Sequence, residues 1–396
     1  MGTVGVIWTG IVLAGLAIGC RAVAGGELVF DVVAHGARGD GITDDTKAFE
    51  AAWAAACGAR APSASMVVPA WRTFLVGPVS FRGPCACGRI TVQVEGTIRA
   101  LPAGAWAWTA KDYWLMFDSV DALRVTGHGV LDGNGQTWWV MKRSDAVRVQ
   151  SAPTALKLVK CNNLELSQFS SKDSPQIHIA ILQCSGVNVF GLTIAAPGSS
   201  PNTDGINVAR SEGVRIAGSR IGTGDDCVAI TSGSRFVTVD GVECGPGHGV
   251  SIGSLGKNGG VAAVEYIDVR NVHFTNTMNG VRIKTWEGGH GYARSISFSN
   301  IEFTNVDNPV VIDQFYRDRS FQAAVAVSNV TYSNLKGTST RPTAVAFDCS
   351  DDGGCRDIHV NSMMIRGTGG QRTVARCRNA RVATSGHVYP VIPCRS

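Results

Sequence analysis

The segment Val187-Asn-Val-Phe-Gly-Leu-Thr-Ile194 carries a pattern that returns along the chain as VRIAGSRI at 214–221, VTVDGVEC at 237–244, IDVRNVHF at 267–274 and ISFSNIEF at 296–303. In each copy apolar residues alternate with others on both sides of a central Gly or Asn, at positions 191, 218, 241, 271 and 300. Alternation with a period of two predicts β-strands, and Gly or Asn tolerates the left-handed backbone of a bend. Each copy therefore predicts two short strands joined at a hinge.

A third apolar strand lies between successive copies: GINV at 205–208, CVAI at 227–230, GVSI at 249–252, GVRI at 280–283 and PVVI at 309–312. Three short strands in every 22 to 30 residues, with no helical pattern between them, are typical of a parallel β-helix. A leucine-rich repeat would need a Leu/Asn consensus that is absent, and a propeller would need longer blades. We predict an all-β fold, a single-stranded right-handed parallel β-helix.

The two open ends of the predicted stack need caps. The segment GDGITDDT at 39–46 leads into the Ala-rich run 47–57, which predicts a short N-terminal capping helix with Asp44, Asp45 or Thr46 at its N-cap. The alternative, a calcium loop, lacks EF-hand spacing. The cysteine-rich tail after Cys349 is expected to close the other end. Because no linker composition interrupts the repeats, residues 25–396 are predicted to form one domain.

Residues 1–24 have the features of a secretory signal peptide. Residues 4–19 are apolar, and Ala22-Val23-Ala24 offers a small-x-small cleavage site. The alternative, a membrane anchor, would need a longer apolar run with charges after it, and no later segment could span a bilayer. We therefore expect a secreted protein with no membrane attachment after cleavage.

Cysteine usage agrees with an oxidising compartment. The cleaved chain would keep 11 of the 12 cysteines, of which most should be paired and the odd one free or intermolecular. A zinc site at Cys85 and Cys87 is disfavoured, because no second pair of Cys or His residues follows at the spacing that zinc ligands need. Asn329-Val330-Thr331 is an N-glycosylation sequon. Proximity in the sequence suggests three local bridges: Cys227 with Cys244, Cys349 with Cys355, and Cys377 with Cys394.

The composition excludes a disordered chain and a nucleic-acid-binding protein. The 396 residues are 44% hydrophobic and 17% charged, which suffices for a buried core. The net charge of +5 falls to +4 when Arg21 leaves with the signal peptide, and there is no basic tract. We therefore expect no nucleic-acid partner.

Ionisable side chains are concentrated between residues 202 and 284. When the third strands are aligned by their apolar residues, Asp204, Asp226 and His248 fall in register 22 residues apart, and Asp225 precedes Asp226. Successive turns of a β-helix stack ~4.8 Å apart, so these side chains should lie above one another. Repulsion among three carboxylates should raise one pKa and make that group a proton donor. A polar turn ladder would explain a single Asp, but four such groups in register favour a catalytic site.

Two cations follow on a later strand. Arg282 and Lys284 should point to the same side, with Ile283 between them turned into the core. Adjacent cations could hold a carboxylated sugar ring, and paired carboxylates are what acid–base cleavage of a sugar linkage requires. The pattern therefore predicts an enzyme site for an acidic sugar polymer.

In this order, four motifs resemble those of the plant-type polygalacturonases of glycoside hydrolase family 28: Asn202-Thr203-Asp204, Gly224-Asp225-Asp226, Gly247-His248-Gly249 and Arg282-Ile283-Lys284. The resemblance extends from Asp31 to the C-terminal region. It implies a pectin-lyase-like β-helix that hydrolyses α-1,4-galacturonosidic linkages of pectin with inversion. It also implies a monomer in the extracellular cell wall that needs no cofactor and no metal.

The resemblance assigns roles to single residues. It implies a general acid, Asp225; two carboxylates that activate water, Asp204 and Asp226; a histidine that tunes the acid, His248; and substrate-binding residues, Arg282, Lys284, Asn202 and Tyr316. An inverting pair of carboxyls is expected to be ~6.5–9.5 Å apart, whereas a spacing of ~5 Å indicates a retaining enzyme.

Several alternatives remain. GVSIG at 249–253 matches the G-x-S-x-G elbow of α/β-hydrolases, but no strand–turn–helix context surrounds it, and Ser251 is expected to be an ordinary outward strand residue. A calcium-dependent pectate lyase would use the acids to bind metal, and a non-enzymatic pectin-binding protein would use only Arg282 and Lys284. Among hydrolases, endo action is favoured weakly over exo action or a rhamnogalacturonan substrate.

Overall fold

A computed structural model describes residues 20–23, 27–106, 111–143, 152–316, 324–352 and 354–394. The predicted signal peptide lies outside the described residues, apart from Cys20–Val23, a strand that pairs antiparallel with Glu27–Asp31. No helix within the described ranges is long and apolar enough to cross a membrane.

The chain winds into a right-handed parallel β-helix, as the repeats predict, and three parallel sheets run along its length. Sheet 1 contains the strands Glu27–Asp31, Ser63–Val68, Ile90–Val94, Leu123–Thr126, Asn162–Ser167, Ser185–Phe190, Glu212–Ala217, Arg235–Asp240, Val261–Arg270, His290–Val306, Ala326–Ser339, Cys355–Gly367 and Ala380–Tyr389. Sheet 2 contains Asp40–Asp44, Thr73–Val76, Thr97–Ala100, Val130–Asp132, Ser170–Lys172, Thr193–Ala195, Arg220–Gly222, Glu243–Cys244 and His273–Thr275, and it joins sheet 1 at His290–Val306. Sheet 3 contains Val79–Arg82, Tyr113–Asp118, Thr154–Val159, Ile179–Leu182, Ile206–Ala209, Val228–Ile230, Val250–Leu255, Asn279–Thr285, Asn308–Asp313, Thr343–Asp348 and Val374–Arg378.

The predicted hinges separate sheets 1 and 2 and have left-handed backbone. The φ angles are 64° at Gly191, 49° at Gly218, 65° at Gly241, 55° at Asn271 and 54° at Asn300. The two asparagines are also linked, since Nδ2 of Asn300 donates to Oδ1 of Asn271 at 3.2 Å. The central residue of each repeat therefore bends the chain from one sheet to the next.

The core lies inside the coil, where the alternate residues of all three sheets meet. Its aromatic rings stack from rung to rung, with ring centroids 5.7 Å apart for Phe274 and Phe303 and 5.1 Å apart for Phe298 and Tyr332. Burial of each such side chain stabilises the fold by roughly 1.5–3 kcal/mol. The inward-facing residues of each strand thus fix the strand register, and this register positions the outward-facing residues.

The N-terminal helix, Thr46–Gly58, packs Phe49 and Trp53 against the first coil. Asp45 occupies the N-cap position but makes no capping bond from its side chain. Its carboxylate accepts the amides of Arg38 and Gly39 instead, at 2.7 and 3.1 Å. The amide of Thr46, the first helical residue, donates instead to Oδ1 of Asp44 at 3.0 Å. The other helices are the α-helix Gln136–Arg143 and the 3₁₀ turns Ala103–Ala105, Lys257–Gly259 and Thr368–Gly370.

The three predicted disulfides are present: Cys227–Cys244, Cys349–Cys355 and Cys377–Cys394. A fourth, Cys57–Cys85, ties the capping helix to the loop after Phe81 and was not predicted, because its partners lie 28 residues apart. The expectation of one odd cysteine is wrong for the described residues, in which Cys87, Cys161 and Cys184 are all unpaired. Cys161 and Cys184 are buried on adjacent rungs, where both thiols donate to backbone carbonyls. The sequon residue Asn329 is exposed.

Candidate active site

The catalytic candidates occupy three turns that lead into adjacent strands of sheet 3. Strand pairing places Ile206 beside Val228 and Val228 beside Val250, so the residues two positions earlier, Asp204, Asp226 and His248, are aligned as predicted. The turns are bonded to one another: the Gly205 amide donates to the Asp226 carbonyl at 2.8 Å, and the His248 amide donates to the Asp225 carbonyl at 2.7 Å.

Close backbone contacts explain the glycines around these turns. A Cβ atom at Gly224 would lie 1.9 Å from the Ser200 carbonyl oxygen. At Gly249, where φ is +85°, a Cβ atom would lie 2.2 Å from the Asn279 carbonyl oxygen. Only glycine permits this approach, which brings the turns close enough for their side chains to interact.

The carboxylate of Asp225 makes hydrogen bonds with the side chains of His248 and Asn202. Its Oδ1 lies 2.9 Å from Nδ1 of His248, and its Oδ2 accepts Nδ2 of Asn202 at 3.2 Å. Burial acts to raise the pKa of Asp225, but the hydrogen bond and charge of His248, with the charge of Lys284, lower the pKa overall. In the free protein these contacts favour the ionised form of Asp225.

Asp226 forms ion pairs with both predicted cations, Arg282 and Lys284. Its side chain is only 2% exposed; Oδ1 accepts hydrogen bonds from Arg282 and Ser251, and Oδ2 accepts one from Lys284, each at 2.8 Å. The Arg282 and Lys284 side chains are 12% and 9% exposed, so the predicted substrate-binding cations are held against a carboxylate. Removal of one partner would leave a buried charge uncompensated.

Ser251 is the functional residue that the sequence interpretation missed. It faces outward from the strand as expected, but its side chain is fully buried. Its hydroxyl donates to Asp226 and accepts Nε of Arg282 at 3.0 Å. The available clue was strand register, because Ser251 is the direct pairing partner of Arg282.

Asp204 has a strongly raised pKa. Burial, and then the negative charges of Asp225 and Asp226, raise the pKa of Asp204 to about 8, while the charge of Lys284 and a hydrogen bond from Asn207 oppose this rise. One raised pKa is the expected consequence of crowding, although burial is the larger cause. The raised group is Asp204, however, and not Asp225, to which the resemblance gives the acid role.

The remaining predicted substrate residue, Tyr316, lies beside the cations. Nζ of Lys284 is 5.4 Å from the centroid of the Tyr316 ring, and the Tyr316 amide donates to the Thr285 carbonyl at 3.2 Å. The structure therefore brings all eight predicted site residues into one cluster.

The carboxyl spacing differs from the inverting criterion for one pair. One oxygen of Asp225, one oxygen of Asp226 and one ring nitrogen of His248 all lie within 4.8 Å of one another. Asp225 and Asp226 are therefore closer than the ~6.5–9.5 Å that leaves room for a water molecule between opposed carboxyls. These atoms could also serve as metal ligands, but both Asp226 oxygens already accept bonds from cations, which a metal ion would have to displace.

Carboxyl groups of unequal proton affinity in one cluster are typical of a glycoside hydrolase. The sequence profile of Glycosyl hydrolases family 28 matches residues 57–386, and the chain belongs to that family. It is 45% identical over 365 residues to a probable polygalacturonase of Arabidopsis thaliana, covering 90% of this chain and 78% of that protein. It is 41% identical to Polygalacturonase-2 of Solanum lycopersicum over 372 residues, covering 92% and 81%.

Solved structures agree on the fold. An endo-xylogalacturonan hydrolase from Aspergillus tubingensis matches with a TM-score of 0.77 and 26% identity, covering 88% of this chain and 98% of that one. An exopolygalacturonase from Thermotoga maritima matches with a TM-score of 0.73 and 21% identity, covering 90% of each chain. The predicted family and fold are confirmed, and the chain is a glycoside hydrolase.

Proposed function

We propose that this protein is a polygalacturonase that hydrolyses α-1,4-galacturonosidic linkages of pectin. The observation that carries the proposal is the cationic pair Arg282 and Lys284 held directly beside the carboxylates, at 2.8 Å from Asp226. A galacturonate ring carries one carboxylate, which such a pair can bind, whereas a neutral sugar would leave both cations with nothing to recognise.

The proposed reaction requires the proton on Asp225, with Asp204 ionised. Lys284 lowers the pKa of Asp225 in the free protein. When a sugar carboxylate binds Lys284, that effect weakens at Asp225 and at Asp204 alike, so the pKa of both groups rises. The reactive form is the one in which the proton shared by the two groups lies on Asp225 and Asp204 is ionised. Asp204 and Asp225 thus titrate as a coupled pair, because the charge of Asp225 raises the pKa of Asp204.

In the proposed reaction Asp225 protonates the glycosidic oxygen as the linkage breaks. A water molecule attacks the anomeric carbon from the opposite face. Asp204 and Asp226 together activate this water, and its proton passes to Asp204. His248 holds Asp225 by the 2.9 Å hydrogen bond. Inversion rests on the family resemblance, since the Asp225–Asp226 spacing does not by itself support it.

We further propose endo action by a secreted monomer in the cell wall. The outward column of sheet 3 continues past the catalytic residues in both directions, to Lys157 on the N-terminal side and to Arg376 on the C-terminal side. A column that continues in both directions can contact the middle of a polymer. The disulfides agree with an oxidising, extracellular compartment.

The test is to incubate the protein with polygalacturonic acid and to follow reducing ends and product sizes over time, with and without a chelator. Mid-length oligomers in the first products support endo action, and monomer from the outset contradicts it in favour of exo action. Absence of new reducing ends would contradict the proposed function, and a requirement for calcium would favour a lyase.

A further inference from the structure

A second cation lies in the same outward column as Arg282. The direct pairing partners along sheet 3 are, in order, Lys157, Ala180, Asn207, Ala229, Ser251 and Arg282. Five rung spacings separate Lys157 from Arg282, which corresponds to ~24 Å along the axis. Lys157 therefore stands two rungs before the Asp204 turn, on the side of the carboxylates away from Arg282.

Between Lys157 and Arg282 the residues of the column have small, uncharged side chains. The described residues form a cavity of about 300 Å³ there, and its lining includes Lys157, Ala180, Asn207 and Thr231. Asn207 joins this cavity to the catalytic cluster, because its hydrogen bond lowers the pKa of Asp204. Its side-chain oxygen has no hydrogen-bond partner among the described residues. The cavity can thus accept a sugar ring and offers an unused acceptor.

We propose that Lys157 binds the carboxylate of a second galacturonate unit and that the cavity is a distal subsite for acidic sugars. This inference rests on the proposed function, in which Arg282 and Lys284 bind a first carboxylate. A galacturonan chain presents carboxylates along its whole length, so two cations in one column can hold two units of one chain. The subsite favours substrates long enough to reach both cations.

The present partner of Lys157 is an acid that a substrate can displace. Nζ of Lys157 lies 2.7 Å from Oδ2 of Asp112, whose side chain is 63% exposed, whereas that of Lys157 is 18% exposed. An ion pair with one exposed partner is weak, because water screens the exposed charge. The arrangement repeats that of Lys284 with Asp226, in that a carboxylate holds the cation in place.

The experiment compares Lys157→Met, Asp112→Asn and a control, Lys160→Met, in the otherwise intact chain. Lys160 lies three residues further along the same coil, on an exposed turn, so its replacement removes the same charge outside the cavity. Each change is combined with Asp225→Asn, and binding of saturated oligogalacturonates of three and seven units is measured by calorimetry. Folding is checked by thermal unfolding.

We expect Lys157→Met to weaken binding of the heptamer at least fivefold while leaving the trimer within twofold. Asp112→Asn removes the competing carboxylate and should tighten heptamer binding, and Lys160→Met should change neither. Equal heptamer binding by the Lys157→Met and control proteins, or no gain from Asp112→Asn, would overturn the subsite. Failure of the proposed function would appear differently, as absence of binding and cleavage in the protein with no substitution.

Discussion

At the scale of single residues, Asp225 is the group whose proton should reach the substrate. Asp225→Asn keeps the shape and the contact with Asn202 but supplies no acidic proton. We expect kcat to fall by about 10²–10⁴-fold, because general acid catalysis contributes on that order. Steady-state kinetics on oligogalacturonates measures the loss, and calorimetric binding should stay within a few-fold. A rate equal to that of the unsubstituted protein would exclude the acid role.

Asp204 should make stability depend on pH. Its pKa is about 8 in the folded protein against 3.8 for an ordinary Asp, so the folded state keeps a proton that the unfolded chain releases. Its stabilising contribution is therefore complete below pH ~4 and is lost as the pH rises towards ~8, by at most about 1.4 kcal/mol per pH unit. Asp204→Asn removes this titration.

Urea unfolding of both proteins from pH 4 to pH 8 measures the difference. The free energy of unfolding of the Asp204→Asn protein should rise relative to the original as the pH increases. If the two curves stay parallel across that window, the pKa of Asp204 is not raised.

Residue types could be predicted from the sequence more readily than their electrostatic states. Strand register aligns Asp204, Asp226 and His248, so the spacing of 22 residues was enough to predict that they meet. The burial that raises the pKa of Asp204, and the bonds that hold Arg282 and Lys284 against Asp226, depend on side-chain packing in three dimensions. Ser251 was missed for the same reason, since alternation indicates direction but not what covers a side chain.

At the scale of elements, the disulfide Cys227–Cys244 fixes the turn that carries Asp225 and Asp226. Cys377–Cys394 is a matched control, because both bridges span 17 residues and the second lies near the C-terminal end of the stack. Replacing either pair by alanines should cost about 3 kcal/mol through the entropy of the unfolded chain. We expect only the Cys227/Cys244 variant to lose activity, by tenfold or more at a temperature where both remain folded.

Thermal unfolding and kcat/KM measured on both variants test this difference. Equal activity losses would show that the bridge stabilises the fold without positioning the carboxyls.

The repeating elements were the most predictable part of the fold. The hinge residues Gly191 to Asn300 all take the left-handed backbone that their residue types allow. The N-cap was less predictable, because three adjacent candidates compete and the Asp45 carboxylate is taken by two loop amides. Disulfides between sequence neighbours were predicted, whereas Cys57–Cys85 required knowledge of how the helix packs.

At the scale of the whole molecule, the β-helix turns a spacing of 22 residues into a column of side chains ~4.8 Å apart. The column aligns the three carboxyl groups with cations on both sides of them, at Lys157 and at Arg282 and Lys284. A linear polymer with a regular array of carboxylates is the complementary ligand. The length and direction of this column follow from the repeat, but the cavity beside Lys157 depends on side-chain sizes that only the structure brings together.

The central claim, hydrolysis of galacturonan by the carboxylate trio, is tested most directly by following the first products in heavy water by ¹H NMR. We predict saturated oligogalacturonates whose new reducing ends appear first as the β anomer, the outcome of inversion at an α linkage. First products in the α form would contradict inversion, and products with a new 4,5 double bond would contradict hydrolysis itself.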